Sequence, residues 1–235
     1  MRYLVLADVH SNLEALEAVL KHAPSHDRIL VCGDIVGYNA NPNEVIQILK
    51  DRNAIAVRGN HDRVALNGDG KGFNWYARAA ILWTSEVLTT ESRAWLSTLL
   101  RGPVEVSPSI QLVHGSIAGE DHYVFSETDG RLDLFLSKKK FTFYGHTHYP
   151  VMITELASYQ PEDNFMDLWN DKWLINPGSV GQPRDGDTRT AFAIFDTKGP
   201  RVKFFRVNYD YKAAQRKIIE AGLPKFLASR LAPGE

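Results

Sequence analysis

The 235-residue sequence has a single cysteine, Cys32. One thiol excludes an internal disulfide and suits a reducing compartment, so a cytoplasmic location is expected. Charge of one sign is also lacking: 27 Lys and Arg face 28 Asp and Glu, for a net charge of -1. That balance leaves no electrostatic signature for nucleic acid or an anionic membrane surface. Long apolar runs are missing too. The N-terminal run extends only from Tyr3 to Ala7 before Asp8 interrupts it, too short for the apolar region of a signal peptide. No window approaches the length of a membrane span. No repeat, low-complexity tract or linker cuts the chain.

What is present is ordinary for a globular enzyme or binding domain: 44% hydrophobic and 23% charged residues. A chain of this size buries roughly 70–75% of its unfolded surface without staples. The expectation is one domain, 1–235, with the helical stretch 74–99 as a candidate partial cap.

The most informative stretch is Tyr144-Gly145-His146-Thr147-His148, after an apolar run read as a strand. On extended chain, side chains at i and i+2 share a side, and histidine is a common metal ligand. The pair therefore suits one metal or two adjacent ones. Earlier strands end in the same way. Residues 2–7 run into Asp8-Val9-His10, residues 28–32 into Gly33-Asp34, and residues 54–57 into Arg58-Gly59-Asn60-His61-Asp62. Residues 110–113 run into His114-Gly115. Taken alone, Asp8 would be a turn or cap residue and His10 a loop residue. Of eight histidines, five fall in these motifs; His22, His26 and His122 read as surface or packing residues.

Between the first strands lie helices. One starts at an Asn12 cap and runs to about His22, with Leu13, Leu16, Val19 and Leu20 on one side. Another covers 42–51, with Asn41 as cap, Pro42 at the first position and Glu44 completing a capping box. Such alternation implies parallel strands with a site beyond their carboxyl ends. Residues 74–99 read as two helices, the second capped by Thr90, with Trp75, Trp83 and Trp95 in the core. Further helices are expected over 128–137 and 210–230, and strands near 151–155, 173–176, 190–196 and 202–207. Pro177-Gly178 occupies type II turn positions.

The order Asp8-x-His10, Gly33-Asp34, Gly59-Asn60-His61-Asp62, His114-Gly115, Gly145-His146-x-His148 resembles the calcineurin-like metallophosphoesterase family. The resemblance covers residues 1–62 and about 112–186. Gly37-Tyr38 and the block Asn176-Pro-Gly-Ser-Val-Gly-Gln-Pro-Arg184 look like a bacterial branch related to dinucleoside tetraphosphatases and protein phosphatases. The resemblance implies an α/β fold, a four-layer α/β/β/α sandwich of two mixed β-sheets flanked by helices. It implies one divalent metal on Asp8, His10, Asp34 and His148, and a second on Asp34, Asn60, His114 and His146, with Asp34 bridging. A nitrogen and oxygen shell suits manganese, iron, zinc or nickel better than calcium or magnesium.

The family reaction implied is attack of a metal-bridging hydroxide on a phosphate mono- or diester, with His61 assisting the leaving group. Asp62 either orients His61 as a second catalytic residue or is a helix-start carboxylate. Arg58 contacts phosphate or forms a structural ion pair. Arg184 and Ser179 sit in a loop expected beside the site, Arg184 being a candidate substrate contact. Cys32 reads as a core residue. Phosphoprotein phosphatases carry Asp-Arg-Gly after the second block, where this chain has Ile35-Val36-Gly37-Tyr38, and Glu where it has Asp62. The expected substrate is therefore a small phosphorylated molecule, such as a nucleotide. The rival readings are a serine/threonine protein phosphatase, a dinucleoside polyphosphate hydrolase, and a non-catalytic scaffold of the same fold. The loops 67–74, 115–127 and 156–172, which would choose the substrate, carry no readable motif.

Overall fold

Strand β1 (Arg2–Leu6) is apolar at nearly every position because it is buried on both faces. Tyr3 and Val5, with Ala7 just beyond the strand, point one way into a core between two sheets; Leu4 and Leu6 point the other way, into a core under helices. This computed structural model describes residues 1–162, 164–169 and 171–235. After β1 come α1 (Leu13–His22), β2 (Arg28–Val31), α2 (Pro42–Asp51) and β3 (Ile55–Ala56). Three helices follow, α3 (Asn60–Asn67), α4 (Trp75–Val87) and α5 (Thr90–Ser97). Then come β4 (Val104–Ser107), β5 (Ile110–Leu112), α6 (Glu127–Leu136), β6 (Phe141–Phe143), β7 (Val151–Ile153) and β8 (Ser158–Tyr159). The chain continues through β9 (Met166–Asp167), β10 (Trp173–Asn176), β11 (Thr190–Asp196), β12 (Arg201–Val207), α7 (Tyr211–Glu220) and α8 (Lys225–Ser229).

The strands form two six-stranded sheets, ordered β3-β2-β1-β11-β12-β9 and β4-β5-β6-β10-β7-β8. Both are mixed. β1, β2 and β3 are parallel, while β11 and β12 join antiparallel; β5, β6 and β10 are parallel, with β4 and β7 antiparallel at their flanks. Val5, Leu30, Phe141, Phe143, Ile175 and Phe195 fill the space between the sheets. Helices α1 and α2 bury Leu16, Val19, Ile46 and Leu49 on the outer face of the first sheet. Helix α6 covers the second with Leu134, against Tyr144 and Leu174. The result is the expected α/β/β/α sandwich. Among the described residues no helix is long and apolar enough to cross a membrane.

Local detail departs from the sequence reading at several points. Asn12 caps α1 by accepting from the Ala15 amide at 3.1 Å. Asn41 makes no side-chain cap bond, so the expected capping box is absent. The start rests instead on Pro42, which presets the helical φ at the first position and leaves one fewer orphan amide there. Thr89, not Thr90, caps α5. Helix α3 begins at Asn60, His61 and Asp62, residues read as the end of a strand, so of the two readings of Asp62 the helix-start carboxylate holds. The buried side of α4 is Ala77, Ala80, Ile81 and Thr84, which leaves Trp75 68% exposed rather than in the core. That helix is apolar around most of its circumference, so periodicity does not identify its buried side. Ala77 and Ala80 pack against Ile218 and Leu227 of the C-terminal helices, with Tyr38 in the same cluster.

Candidate metal centre

Beyond the carboxyl ends of β1 and β2 the two chains remain laced together. The Asp8, His10 and Ser11 amides donate to the Gly33, Asp34 and Ile35 carbonyls at 3.1, 2.9 and 2.9 Å. The lacing turns side chains inward through left-handed backbone. Asp8, His10, Asp34, His146 and His148 all have φ between 48° and 68°. Each such residue costs about 1–3 kcal/mol and persists where its surroundings over-determine it, commonly at functional sites. The expectation that His146 and His148 share one side of an extended strand is thereby corrected. β6 ends at Phe143, and the two imidazoles leave a left-handed loop toward different partners.

One partner set is Asp8, His10 and His148; the other is Asp34, His114 and His146; a third grouping joins His10 and Asp34 to His61. His10 Nε2 lies 3.2 Å from His148 Nε2, and His114 Nε2 lies 3.1 Å from His146 Nδ1. The outer nitrogens are committed to carbonyls. His10 Nδ1 donates to Val36 at 3.0 Å, His114 Nδ1 to Cys32 at 2.8 Å and His148 Nδ1 to Gln182 at 2.5 Å. Carbonyl acceptors fix the tautomer and aim the remaining lone pair inward. Asp34 Oδ2 stands between the sets, 3.6 Å from His10 Nε2 and 3.3 Å from His114 Nε2. Asn60 Oδ1 approaches His114 Nε2 to 3.3 Å. Gly59 lets the chain pass this close, since a Cβ there would lie 2.1 Å from Asp34 Oδ1.

All of these ligand-type residues are buried, and burial sets the direction of titration at Asp8, His10, His146 and His148. It holds His10 and His148 well below the usual imidazole range, and His146 at about 3, so these rings are neutral. Burial raises Asp8 to about 7, with the Asp34 charge adding to the rise against the pull of His114. His114 goes the other way: burial opposes its charge, but the Asp34 carboxylate outweighs burial and lifts it to about 10. Two neutral rings facing each other through lone pairs, flanked by two carboxylates, form a place for positive charge. The donor set of imidazole nitrogens and carboxylate oxygens fits first-row divalent cations.

His61 lies beside the cluster, its ring edge-on to His10 at 4.7 Å and to Phe73 at 5.0 Å. Its Nε2 is 4.0 Å from Asp34 Oδ2, and its Nδ1 has no hydrogen-bond partner. Asp62 therefore does not orient His61. Its two oxygens accept from the Val36 amide at 3.0 Å and the Gly59 amide at 2.9 Å. At the third position of α3 those amides are the nearest orphan donors, so Asp62 acts as the helix-start carboxylate and ties the β2 loop to α3. Arg58 does not reach the cluster either. Its guanidinium pairs with Glu120 at 3.2 Å and lines a separate cavity with Arg63 and Arg101. Ser179 shapes its loop, donating to the Asp8 carbonyl at 2.9 Å.

Arg184 does line the cavity over the cluster, of about 520 Å³, together with Asp34, Asn60, His61, His146 and His148. Its partners are neutral: the Tyr38 hydroxyl at 3.3 Å, the Gln182 amide oxygen at 3.0 Å, and Tyr123. Its charge is thus available to an anion. Sequence reasoning missed Tyr123, which stacks on His146, and Asp121, whose carbonyl lies 3.4 Å from His146 Nε2. Arg63 first, and Asn60 further, hold the Asp121 carboxyl below its usual range, so this loop residue steadies Asn60. Tyr123-x-Phe125 places two aromatics in a loop, but nothing local ties them to a histidine 23 residues after Tyr123.

Comparison with known proteins gives the family and the fold. The family model for the calcineurin-like phosphoesterase superfamily domain matches residues 1–199. An uncharacterized protein of Methanocaldococcus jannaschii is 39% identical, over 97% of this chain and 96% of its own. The crystal structure of a metallophosphoesterase from Sphaerobacter thermophilus superposes with a TM-score of 0.91 at 38% identity, covering 100% of this chain and 99% of that one. A hypothetical protein from Pyrococcus horikoshii OT3 has the same fold, with a TM-score of 0.81 at 22% identity and coverage of 100% and 98%.

Proposed function

The chain belongs to the calcineurin-like phosphoesterase superfamily, and from that footing we propose that it is a two-metal hydrolase of phosphate mono- or diesters of small molecules, nucleotides among them. The observation that carries this reading is the facing pair His10 Nε2 and His148 Nε2, 3.2 Å apart, with both Nδ1 atoms already spent on carbonyls. Without a cation those lone pairs repel. We assign one divalent ion to Asp8, His10, Asp34 and His148, and the other to Asp34, Asn60, His114 and His146, with manganese, iron, zinc or nickel as the candidates. When bound, such ions acidify water, orient the ester and neutralise charge on the transferring phosphoryl group.

The chain's own residues supply the rest. Asp34 offers its Oδ2 to both sets while its Oδ1 accepts from the His61 amide at 2.9 Å, which keeps the carboxylate from rotating. Arg184 lies on the cavity wall and binds a phosphate oxygen that is not being displaced. His61 donates its one N–H to the leaving oxygen or to phosphate. Its Nδ1 is sealed against Gly37, so Nε2 is the atom that faces the reaction. The buried single thiol, Cys32, accords with a reducing cytoplasm.

The direct test is a hydrolysis screen of metal-depleted protein with p-nitrophenyl phosphate, bis-p-nitrophenyl phosphate and a nucleotide panel. Mn²⁺, Ni²⁺, Zn²⁺ or Mg²⁺ is added back to each. Metal-dependent turnover is expected. No turnover with any metal on any ester would sink the proposal in favour of a scaffold.

Two further outcomes are expected. Chelation should lower the melting temperature. An ion at a thousand times its Kd contributes about 4 kcal/mol, worth on the order of 10 °C in a chain of this length at about 2–4 °C per kcal/mol; differential scanning fluorimetry with and without chelator measures it. Gly37→Ala should disturb His61 specifically. Gly37 has φ +100°, and a Cβ there would lie 2.4 Å from His61 Nδ1. Turnover should fall while metal content stays at the wild-type value, with stability lowered by about 1–3 kcal/mol. Unchanged turnover would show that His61 need not sit where it does.

A further inference from the structure

Three rings climb out of the metal cavity in a near-parallel stack. Tyr123 lies on His146 with centroids 3.8 Å apart and planes at 19°; Phe125 lies on Tyr123 at 5.0 Å and 10°. Tyr123 lies between His146 and Phe125, so its 46% exposure is at the ring edge, while Phe125 is 66% exposed and leaves its outer face open. Tyr123 lines the cavity over the cluster, whereas Phe125 lines the wall of a second cavity of about 880 Å³. Residues that are neighbours in sequence line the two cavities: Arg184 one and Asp185 the other, with Thr147 of the second between His146 and His148 of the first. Half-exposed Tyr149 and the ring of Phe205 add flat apolar surface to the second cavity. Lys203 brings a positive charge there, its ammonium 5.3 Å over the Phe205 ring.

We propose that the outer face of Phe125, backed by Tyr123, forms a stacking subsite for a flat aromatic group, such as a nucleobase, carried by the phosphoester substrate; this rests on the phosphoesterase reading above. An open aromatic face beside a phosphate-sized site favours a second ring over water, since ring pairs gain from offset stacking beyond the area they bury. The 880 Å³ cavity receives whatever lies beyond the ring, and Lys203 suits an anionic or acceptor-rich group there. Substrates lacking an aromatic ring would bind through phosphate alone.

The test reads binding, so it does not depend on turnover. The full-length, metal-loaded protein is titrated calorimetrically with the phosphonate analogues of AMP and of ribose 5-phosphate, which cannot be hydrolysed. Phe125 is the residue to change, because it is exposed and touches no residue of the cluster. Wild type should prefer the AMP analogue. Phe125→Ala should reduce that preference about tenfold, as stacked bases lose on alanine substitution, and Phe125→Trp should restore it. Equal affinity of wild type for the two analogues overturns the proposal, as does a preference that survives Phe125→Ala. If Phe125→Ala instead converts a dimer to a monomer on sedimentation with the preference intact, the ring belongs to a contact between copies of the chain and the subsite is refuted. A Phe125-dependent preference in a protein that hydrolyses no ester would keep the subsite and refute the phosphoesterase reading.

Discussion

Asp34→Asn should leave a folded protein that holds neither its metals nor its activity. The substitution keeps the shape of the side chain, and its Oδ1 can go on accepting from the His61 amide. What it removes is the oxygen with charge at the centre of the cluster, 3.3 Å from His114 Nε2, 3.6 Å from His10 Nε2 and 4.0 Å from His61 Nε2. An amide nitrogen in that place donates toward imidazole lone pairs and repels a cation. Metal affinity should fall by more than the roughly 10–100-fold typical of losing an outer-shell partner. Turnover should fall at least in proportion. Stability gives a second reading. In the metal-free protein the Asp34 carboxylate pairs with His114 at 3.3 Å and sustains its charge, and removing one partner of a buried pair is destabilising. The chelated variant should therefore melt below chelated wild type, and gain nothing when metal is added. Elemental analysis together with melting curves decides it: two ions per chain in the variant, or a wild-type rise on adding metal, would remove Asp34 from the bridging position.

The cluster was legible in the sequence because its members sit at strand ends, where a carboxylate or imidazole interrupts an apolar run abruptly. Asp8, His10, Asp34, His114, His146 and His148 all announce themselves in this way, and the resemblance to a known family sorted them into two sets. The wrong part was the local geometry. Alternation on extended chain predicts that i and i+2 side chains share one side, but His146 and His148 have φ of 68° and 65° and leave a loop beyond β6; that they fall in different sets is what the resemblance implied. A left-handed conformation at a non-glycine residue is imposed by the surroundings, so no propensity scale reveals it. Asp62 shows the same limit from another side. Its neighbour in sequence is His61, but its partners are amides of Val36 and Gly59, fixed by a helix start that looked like the end of a strand. Within the cavity wall, Arg63, Asp121 and Tyr123 come from α3 and a long loop, and only the fold brings them to Asn60 and His146.

His61→Ala should separate chemistry from metal binding. The ring is buried beside the cluster without being one of the facing nitrogens, and its Nδ1 has no partner, so deleting it opens space without unpairing a carbonyl. Metal content should stay at two ions per chain. Turnover should fall by roughly 10²–10⁴-fold, the range for losing a positioned proton donor. The size of the loss should depend on the leaving group. Nitrophenolate departs without a proton, whereas an alkoxide does not, so an alkyl phosphate should suffer far more than p-nitrophenyl phosphate. Equal losses on both would move His61 from the leaving oxygen to a phosphate oxygen, because stabilising phosphate helps every ester alike. A parallel loss of metal would instead make it a ligand, through the grouping it forms with His10 and Asp34. The first two outcomes assign the Nε2 hydrogen to different atoms and the third makes Nε2 a lone-pair donor to metal, and kinetics with the two esters on one metal-quantified preparation tell the three apart.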